Sequence, residues 1–189
     1  MTFQGKARWM KHLYTPDNAF GASKYKAGIW VSKETADQIK KAGVQKKVKE
    51  DEKGPWIEFT RDEVKVMKGQ PVFFTPPILE DKNGASIISY VDEYGKTVKS
   101  YNDPAKKTSI KKQGENILIG NDSDVQLTVA VFDTMKGKGQ RLESVRILDL
   151  IEYRPEGEQT SFAGNKPAET EPAPAAQPAT PTKKAASPF

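Results

Sequence analysis

The chain has no cysteine among its 189 residues. That excludes a disulfide framework, a thiolate nucleophile and any cysteine-ligated metal. It has one histidine, His12. A zinc centre would have to combine His12 with three carboxylates, an uncommon donor set. A Ser-His-Asp triad would also have to use His12, and no nucleophile-elbow pattern accompanies it. Apolar residues are scarce, at 36% of the chain with a mean hydropathy of −0.69. Such values are low for a chain that is compact throughout, so part of it is expected to lie outside any core. No stretch approaches the roughly 18 apolar residues of a membrane span. The first residues carry Lys6 and Arg8 but lack the apolar segment of a secretory signal. These absences lead to the expectation of a soluble, cytoplasmic protein with no membrane partner and no cofactor.

What the chain does have is positive charge: 30 Lys and Arg against 25 Asp and Glu, a net charge of +5. That favours a polyanionic partner without identifying it. Composition changes near Arg154-Pro155. Residues 156–189 are mostly Pro, Ala, Glu, Thr and Gln, with Lys166, Lys183 and Lys184 against Glu156, Glu158, Glu169 and Glu171. So little apolar surface cannot offset the entropy of ordering, and the segment reads as a disordered tail of polyproline character. The expected organisation is one folded domain over residues 1–155 and a tail over residues 156–189.

The body reads as mainly β. Asp124 to Phe132 alternates strictly, with Val125, Leu127, Val129 and Val131 on one face and Gln126, Thr128, Ala130 and Phe132 on the other. A basic glycine loop follows (Met135, Lys136, Gly137, Lys138, Gly139, Gln140, Arg141), then a second apolar strand over residues 142–151. Residues 3–12 form a first strand, with Phe3, Gly5, Ala7 and Trp9 facing one way and Lys6 and Arg8 the other. In a strand over residues 25–31, Tyr25, Ala27, Ile29 and Val31 oppose Lys24, Lys26, Gly28 and Trp30. Ser32 is an expected helix N-cap, with Glu34 and Asp37 near the positive end, Lys40 and Lys41 near the negative end and Gly43 as the stop. With only Ala36, Ile39 and Ala42 as apolar contacts, this helix is expected to be peripheral. Residues 45–53 read as a solvated charge run. Strand pieces are expected at residues 56–59, 64–67 and 70–75, with turns at Asn83-Gly84 and Tyr94-Gly95. Residues 96–112 carry six lysines against Asp103 and read as a basic functional insertion.

Several motifs fail on inspection. Gly95-Lys96-Thr97 would need a glycine at position 90 to be a phosphate-cradling loop, and that residue is Tyr90. Asp122 and Asp124 lack the spacing of an EF-hand and fit a tight loop entering a strand. The stronger signal is aromatic and basic residues recurring on the faces turned away from the core. Unpaired bases stack on aromatic rings at about 1–3 kcal/mol each without sequence readout. Lysine and arginine add counterion release at phosphates.

The segments Lys6-Ala7-Arg8-Trp9, Leu13-Tyr14-Thr15-Pro16-Asp17, Lys24-Tyr25-Lys26-Ala27-Gly28-Ile29-Trp30-Val31-Ser32 and Ile119-Gly120-Asn121-Asp122-Ser123-Asp124-Val125, in that order and followed by Phe132-Asp133 and the strand from Leu142, resemble the phage single-stranded DNA-binding proteins of the OB-fold type found in podoviruses. The resemblance spans most of residues 1–153. It implies a five-stranded OB-fold-like barrel with one short helix, loop insertions and a disordered C-terminal tail. It also implies non-catalytic coating of single-stranded DNA in phage replication, recombination and repair, in the host cytoplasm. Trp30, Phe132 and Tyr94 are then the expected stacking residues, and Lys6, Arg8, Lys26, Lys107, Lys136 and Arg141 the phosphate contacts. Such proteins often end in an acidic tail with an aromatic tip. Here Ser187-Pro188-Phe189 keeps the tip, the implied contact to replication partners, while Lys183 and Lys184 stand where acids are usual. The alternatives are a metal-dependent nuclease built on Asp122, Asp124, Asp133 and Asp149, a β-rich virion or scaffold protein, and an RNA-binding protein using the same physics.

Overall fold

The alternating segments become a two-faced sheet. The computed structural model describes residues 1–44, 46–134, 137–153 and 160–161. Its strands are β1 (Thr2–Arg8), β2 (Lys24–Trp30), β3 (Lys49–Asp51), β4 (Gly54–Asp62), β5 (Val64–Met67), β6 (Gln70–Phe74), β7 (Ile78–Glu80), β8 (Ser86–Val91), β9 (Ser100–Tyr101), β10 (Lys111–Gln113), β11 (Asp124–Thr134), β12 (Gly137–Asp149), β13 (Ile151–Glu152) and β14 (Thr160–Ser161), with one α-helix, α1 (Lys33–Lys41), between β2 and β3. The tail read over residues 156–189 lies outside the described residues apart from the short strand β14.

The protein is mainly β, as the alternation requires, but the sheet differs from the expected barrel. Nine strands form one open sheet in the order β10-β8-β7-β12-β11-β1-β2-β4-β3, with a separate three-stranded sheet β5-β6-β9. The antiparallel pairings β4-β2-β1-β11-β12 make β4 and β12 run in the same direction. A closed five-stranded barrel would need β4 and β12 to share a ladder, and none joins them; part of each edge is taken by another strand. β3 pairs with β4 at Gly54–Trp56, and β7 pairs in parallel with β12 at Ser144–Arg146. The seam is spanned instead by Arg61 of β4, 2% exposed. Its guanidinium donates to the carbonyl oxygens of Thr75 (2.7 Å), Leu142 (3.1 Å) and Lys99, and to Glu143 Oε2 (3.2 Å).

Ala7, Ala27, Ile29, Phe59, Val125, Leu127, Val129, Leu142 and Val145 are wholly buried on the inner face. Phe3 and Phe59 stack there with centroids 5.5 Å apart. The helix forms where its signals place it: Ser32 Oγ accepts from the Thr35 N–H, and Gly43 takes φ +75° after the last turn. It is less peripheral than its few apolar residues suggest, because Ile39 is completely buried among the core residues. The first strand ends at Arg8, not His12. Trp9 adopts φ 52°, ψ 61° and turns the chain into a 3-10 turn at Met10–His12. The basic glycine loop is also mostly strand. β12 begins at Gly137, and Gly139 lies opposite Phe132. A Cβ at Gly139 would sit 2.6 Å from the Phe132 ring, so the glycine makes room for that ring to lie across the neighbouring strand.

Candidate nucleic-acid interface

Register across the sheet assembles the site. Lys6 of β1 lies opposite Trp30 of β2, Trp30 opposite Trp56 of β4, and Trp56 opposite Lys49 of β3. Directly opposed residues of antiparallel strands share a face. A row of cation, indole, indole, cation therefore crosses four strands on the outer face. Asp124 of β11 continues it beyond Lys6, with which it forms a 2.8 Å ion pair.

Arg8 stands two residues along β1 from Lys6, opposite Gly28, which offers no side chain to exclude it. Its guanidinium carbon is 3.8 Å from the centre of the Trp9 ring, 3.7 Å from that of Trp56 and 5.4 Å from that of Trp30. The chain has three tryptophans, and all of them surround this one arginine. Arg8 Nε and Nη2 each lie 3.2 Å from Asp51 Oδ2, and Trp30 Nε1 donates to Asp51 Oδ1 at 3.0 Å. Partial desolvation opposes ionisation of Asp51, but hydrogen bonds from Trp30, from the Lys53 N–H and from Arg8 outweigh it and hold the carboxyl below its usual range. Lys49 Nζ sits 4.8 Å over Trp56 and Lys53 Nζ 4.7 Å over Trp30. Lys53 also pairs with Asp122 at 2.8 Å. The result is an aromatic patch in which Arg8, Lys6 and Lys53 are paired with Asp51, Asp124 and Asp122, and in which Lys49 has no ion-pair partner among the described residues.

The remaining expected contacts are distributed more widely. Phe132 is half-buried near the tip of the β11–β12 hairpin, with Lys65 Nζ 5.7 Å and the Arg141 guanidinium 6.0 Å from its centroid. Arg141 also bonds Glu143 and lies 5.0 Å over Phe74. Lys26 is held by Asp17 at 2.6 Å, a hydrogen bond that raises its pKa, and is mostly covered. Lys6 and Lys107 are exposed beyond their pairings to Asp124 and Glu63. Tyr94 is 86% exposed on the turn after β8, beside Lys96, Lys99 and Lys106 around a cavity of about 580 Å³. Among the described residues no contact joins it to the tryptophans. Lys136 and Phe189 lie outside the described residues.

The structure thus brings Lys6, Arg8 and Trp30 together, and Phe132 with Arg141. Sequence reading missed Trp9, Lys49, Asp51, Lys53 and Trp56. The expected first strand runs four residues past Arg8 and so places Trp9 on the side of Phe3 and Ala7, away from Lys6 and Arg8. Lys49 and Lys53 were absorbed into a solvated charge run. The available signal was the rarity of tryptophan: each of the three has a lysine or arginine within three residues, and Lys49 reaches Trp56 across the β3–β4 hairpin. Among the described residues no group of three or more His, Asp or Glu side chains comes together as a metal site. Asp122, Asp124 and Asp133 are each paired with a lysine. No family model, curated protein or solved structure matches this chain.

Proposed function

We propose that the chain is a sequence-nonspecific single-stranded DNA-binding protein that coats single strands during phage replication, recombination and repair, without catalysis. The observation that carries this reading is the gathering of all three tryptophans around Arg8 on the outer face, flanked by Lys6, Lys49 and Lys53. Trp9 is 62% exposed and Trp30 and Trp56 are half-buried, so their accessible ring surface is what unpaired bases would stack on, and the flanking lysines would release counterions from phosphates. Arg8, Asp51 and the Trp30 N–H are committed to one another, which suits binding without sequence preference.

The fold supports the same reading. The five strands β1, β2, β4, β11 and β12 have the neighbour order of an OB-fold, with β4 alongside β12 in parallel, although the seam is bridged by Arg61 and not by a ladder. The β11–β12 hairpin, with Phe132 and Arg141, then corresponds to one of the loops through which that fold grips a strand, and the exposed Tyr94 and Lys107 are assigned as further contacts. Recruitment of replication proteins is assigned to the tail tip at Phe189.

The test is fluorescence anisotropy of a labelled oligo-dT strand with the native protein and with Trp30→Ala, competed with duplex DNA and with oligo-U. Native protein should prefer the single DNA strand, and Trp30→Ala should bind about 5- to 100-fold more weakly, the loss of one stacked base, while still unfolding cooperatively, at a midpoint lowered by the loss of the Trp30–Asp51 hydrogen bond. Normal affinity in Trp30→Ala would show that this face is not the binding surface.

A further inference from the structure

We propose that the cavity beside Trp9 receives a single nucleobase turned out of the bound strand, stacked on the Trp9 ring with an acceptor atom against the Asn121 amide. The proposal rests on the single-strand-binding reading and adds to it a defined subsite. The cavity measures about 400 Å³, within the range of small-ligand pockets. Its walls include Trp9, Tyr14, Leu118, Ile119 and Tyr153, with Asn121 as a polar group and Lys11 at the side. An apolar slot of rings and aliphatic chains with few polar atoms is the environment that a base, with two π faces and a polar edge, can fill.

The slot is built in advance. Its wall at residues 119–123 is pinned to β1 by Ala7 N–H to Ser123 O (2.7 Å) and Asp122 N–H to Ala7 O (2.9 Å). It is pinned to the chain beyond β12 by Gly120 N–H to Ile151 O (2.7 Å) and by Ser123 Oγ, 1% exposed as a residue, which receives the Ile151 N–H and donates toward Gly120 O. Tyr14 Oη donates to Ile117 O at 3.3 Å, and burial pushes its phenol pKa up, so it stays a neutral ring.

Two observations point to a ligand. Trp9, a bulky residue, sits in the left-handed region at φ 52° while 62% exposed. Such a conformation is costly and persists where surrounding structure enforces it, commonly at ligand clamps. Asn121 Oδ1 enforces it by accepting the Trp9 N–H at 2.9 Å. One ring face of Trp9 is covered by Arg8, and the residue also borders the cavity. The Asn121 amide nitrogen has no partner among the described residues, leaving two N–H donors for an acceptor on a base edge. Lys11 is exposed with no ion-pair partner among the described residues and is placed for a phosphate of the same nucleotide. A base is favoured over an apolar side chain of a protein partner because the cavity shares Trp9 with the Trp9–Arg8–Trp56 stack and carries an unpaired cation and a free donor.

The test compares native protein, Leu118→Trp and Asn121→Asp for binding of oligo-dT and of an equal-length strand of abasic sugar-phosphate units, at one salt concentration. Leu118 is 43% exposed, so a larger ring there fills the slot from its open side without disturbing the core. Asp at position 121 keeps the acceptor for the Trp9 N–H, removes the donors and adds a negative charge whose repulsion of phosphate is read on the abasic strand, so its excess loss on oligo-dT gives a second readout if Leu118→Trp folds poorly. Both variants should bind oligo-dT about 5- to 50-fold more weakly. Leu118→Trp should match native protein on the abasic strand. Native protein binding oligo-dT while both variants bind it equally well would overturn the subsite and leave the wider reading intact. An equal loss on both strands would also overturn it. No binding of oligo-dT by the native protein would remove the wider reading and the subsite together.

Discussion

The Arg8 guanidinium carbon lies 3.7 Å from the centre of the Trp56 ring, across two strands that are not neighbours in the ladder. The contact exists because Gly28 of the intervening strand has no side chain. Arg8 is 8% exposed, so its charge acts first on the indoles and on Asp51. A phosphate reaches the rim lysines more readily than it reaches Arg8.

Arg8→Lys tests that division of roles. A lysine cannot stack flat between two rings or form the same forked contact with Asp51. The expected loss of stability is about 1–2 kcal/mol, the scale of a desolvated cation–π contact, measured by urea denaturation. Affinity for oligo-dT should fall as Trp9 and Trp56 lose their spacer, while the salt dependence should stay unchanged. A variant of native stability would show that the arginine is not packed as described.

The lysines divide in the same way. Lys49 and Lys65 have no ion-pair partner among the described residues, whereas Lys26 is committed to Asp17 at 2.6 Å. Lys49→Gln and Lys65→Gln should each flatten the plot of log K against log salt by about 0.7, one phosphate on a single strand. Lys26→Gln should leave that slope close to native. The opposite pattern would relocate the phosphate path.

Much of this was legible in the chain. Alternation assigned the buried face of β2 and β11 residue by residue, and Ser32 and Gly43 bounded the helix, because these signals are local. The left-handed turn at Trp9 was not legible: it depends on Asn121, which is 112 positions away in sequence. The same holds for the tryptophan cluster, which register assembles from β1, β2 and β4, and for the open seam. No ladder closes β4 onto β12: β3 and β7 take part of each edge and Arg61 fills the seam, and residues 78–112 gave no period strong enough to reveal β7. Arg61 carries no local signal of its role, since the carbonyl oxygens of Thr75, Leu142 and Lys99 converge on it from distant segments.

Arg61→Met removes the bridge across that seam. The carbonyl oxygens of Thr75, Leu142 and Lys99 and the Glu143 carboxylate would lose their shared donor inside the protein. Breaking one partner of a buried ionic network costs about 3–5 kcal/mol, so the denaturation midpoint should fall steeply. A mild effect would mean that water replaces the guanidinium.

Lys46 gives the fold a pH signature. Burial, against the attraction of Glu58, lowers its pKa from 10.5 to about 8, while its ammonium donates to Glu58 O at 2.9 Å. Between those values the unfolded chain binds more protons than the folded one, so stability should rise with pH across that window. Above about pH 10 the buried phenols of Tyr14 and Tyr25, both pushed up by desolvation, reverse the trend because only the unfolded chain ionises them. Lys46→Met should be more stable at pH 7 and should lose the rise from pH 8. A native-like slope in that variant would assign the proton to another group.

Tryptophan emission reports on the central claim most directly, because every tryptophan of the chain lies in the proposed site. Titrating the native protein with unlabelled oligo-dT at low salt should quench that emission saturably, and added salt should reverse it as the strand is released. Binding of the strand, shown independently by anisotropy, with tryptophan emission unchanged would place it on some other surface and contradict the account.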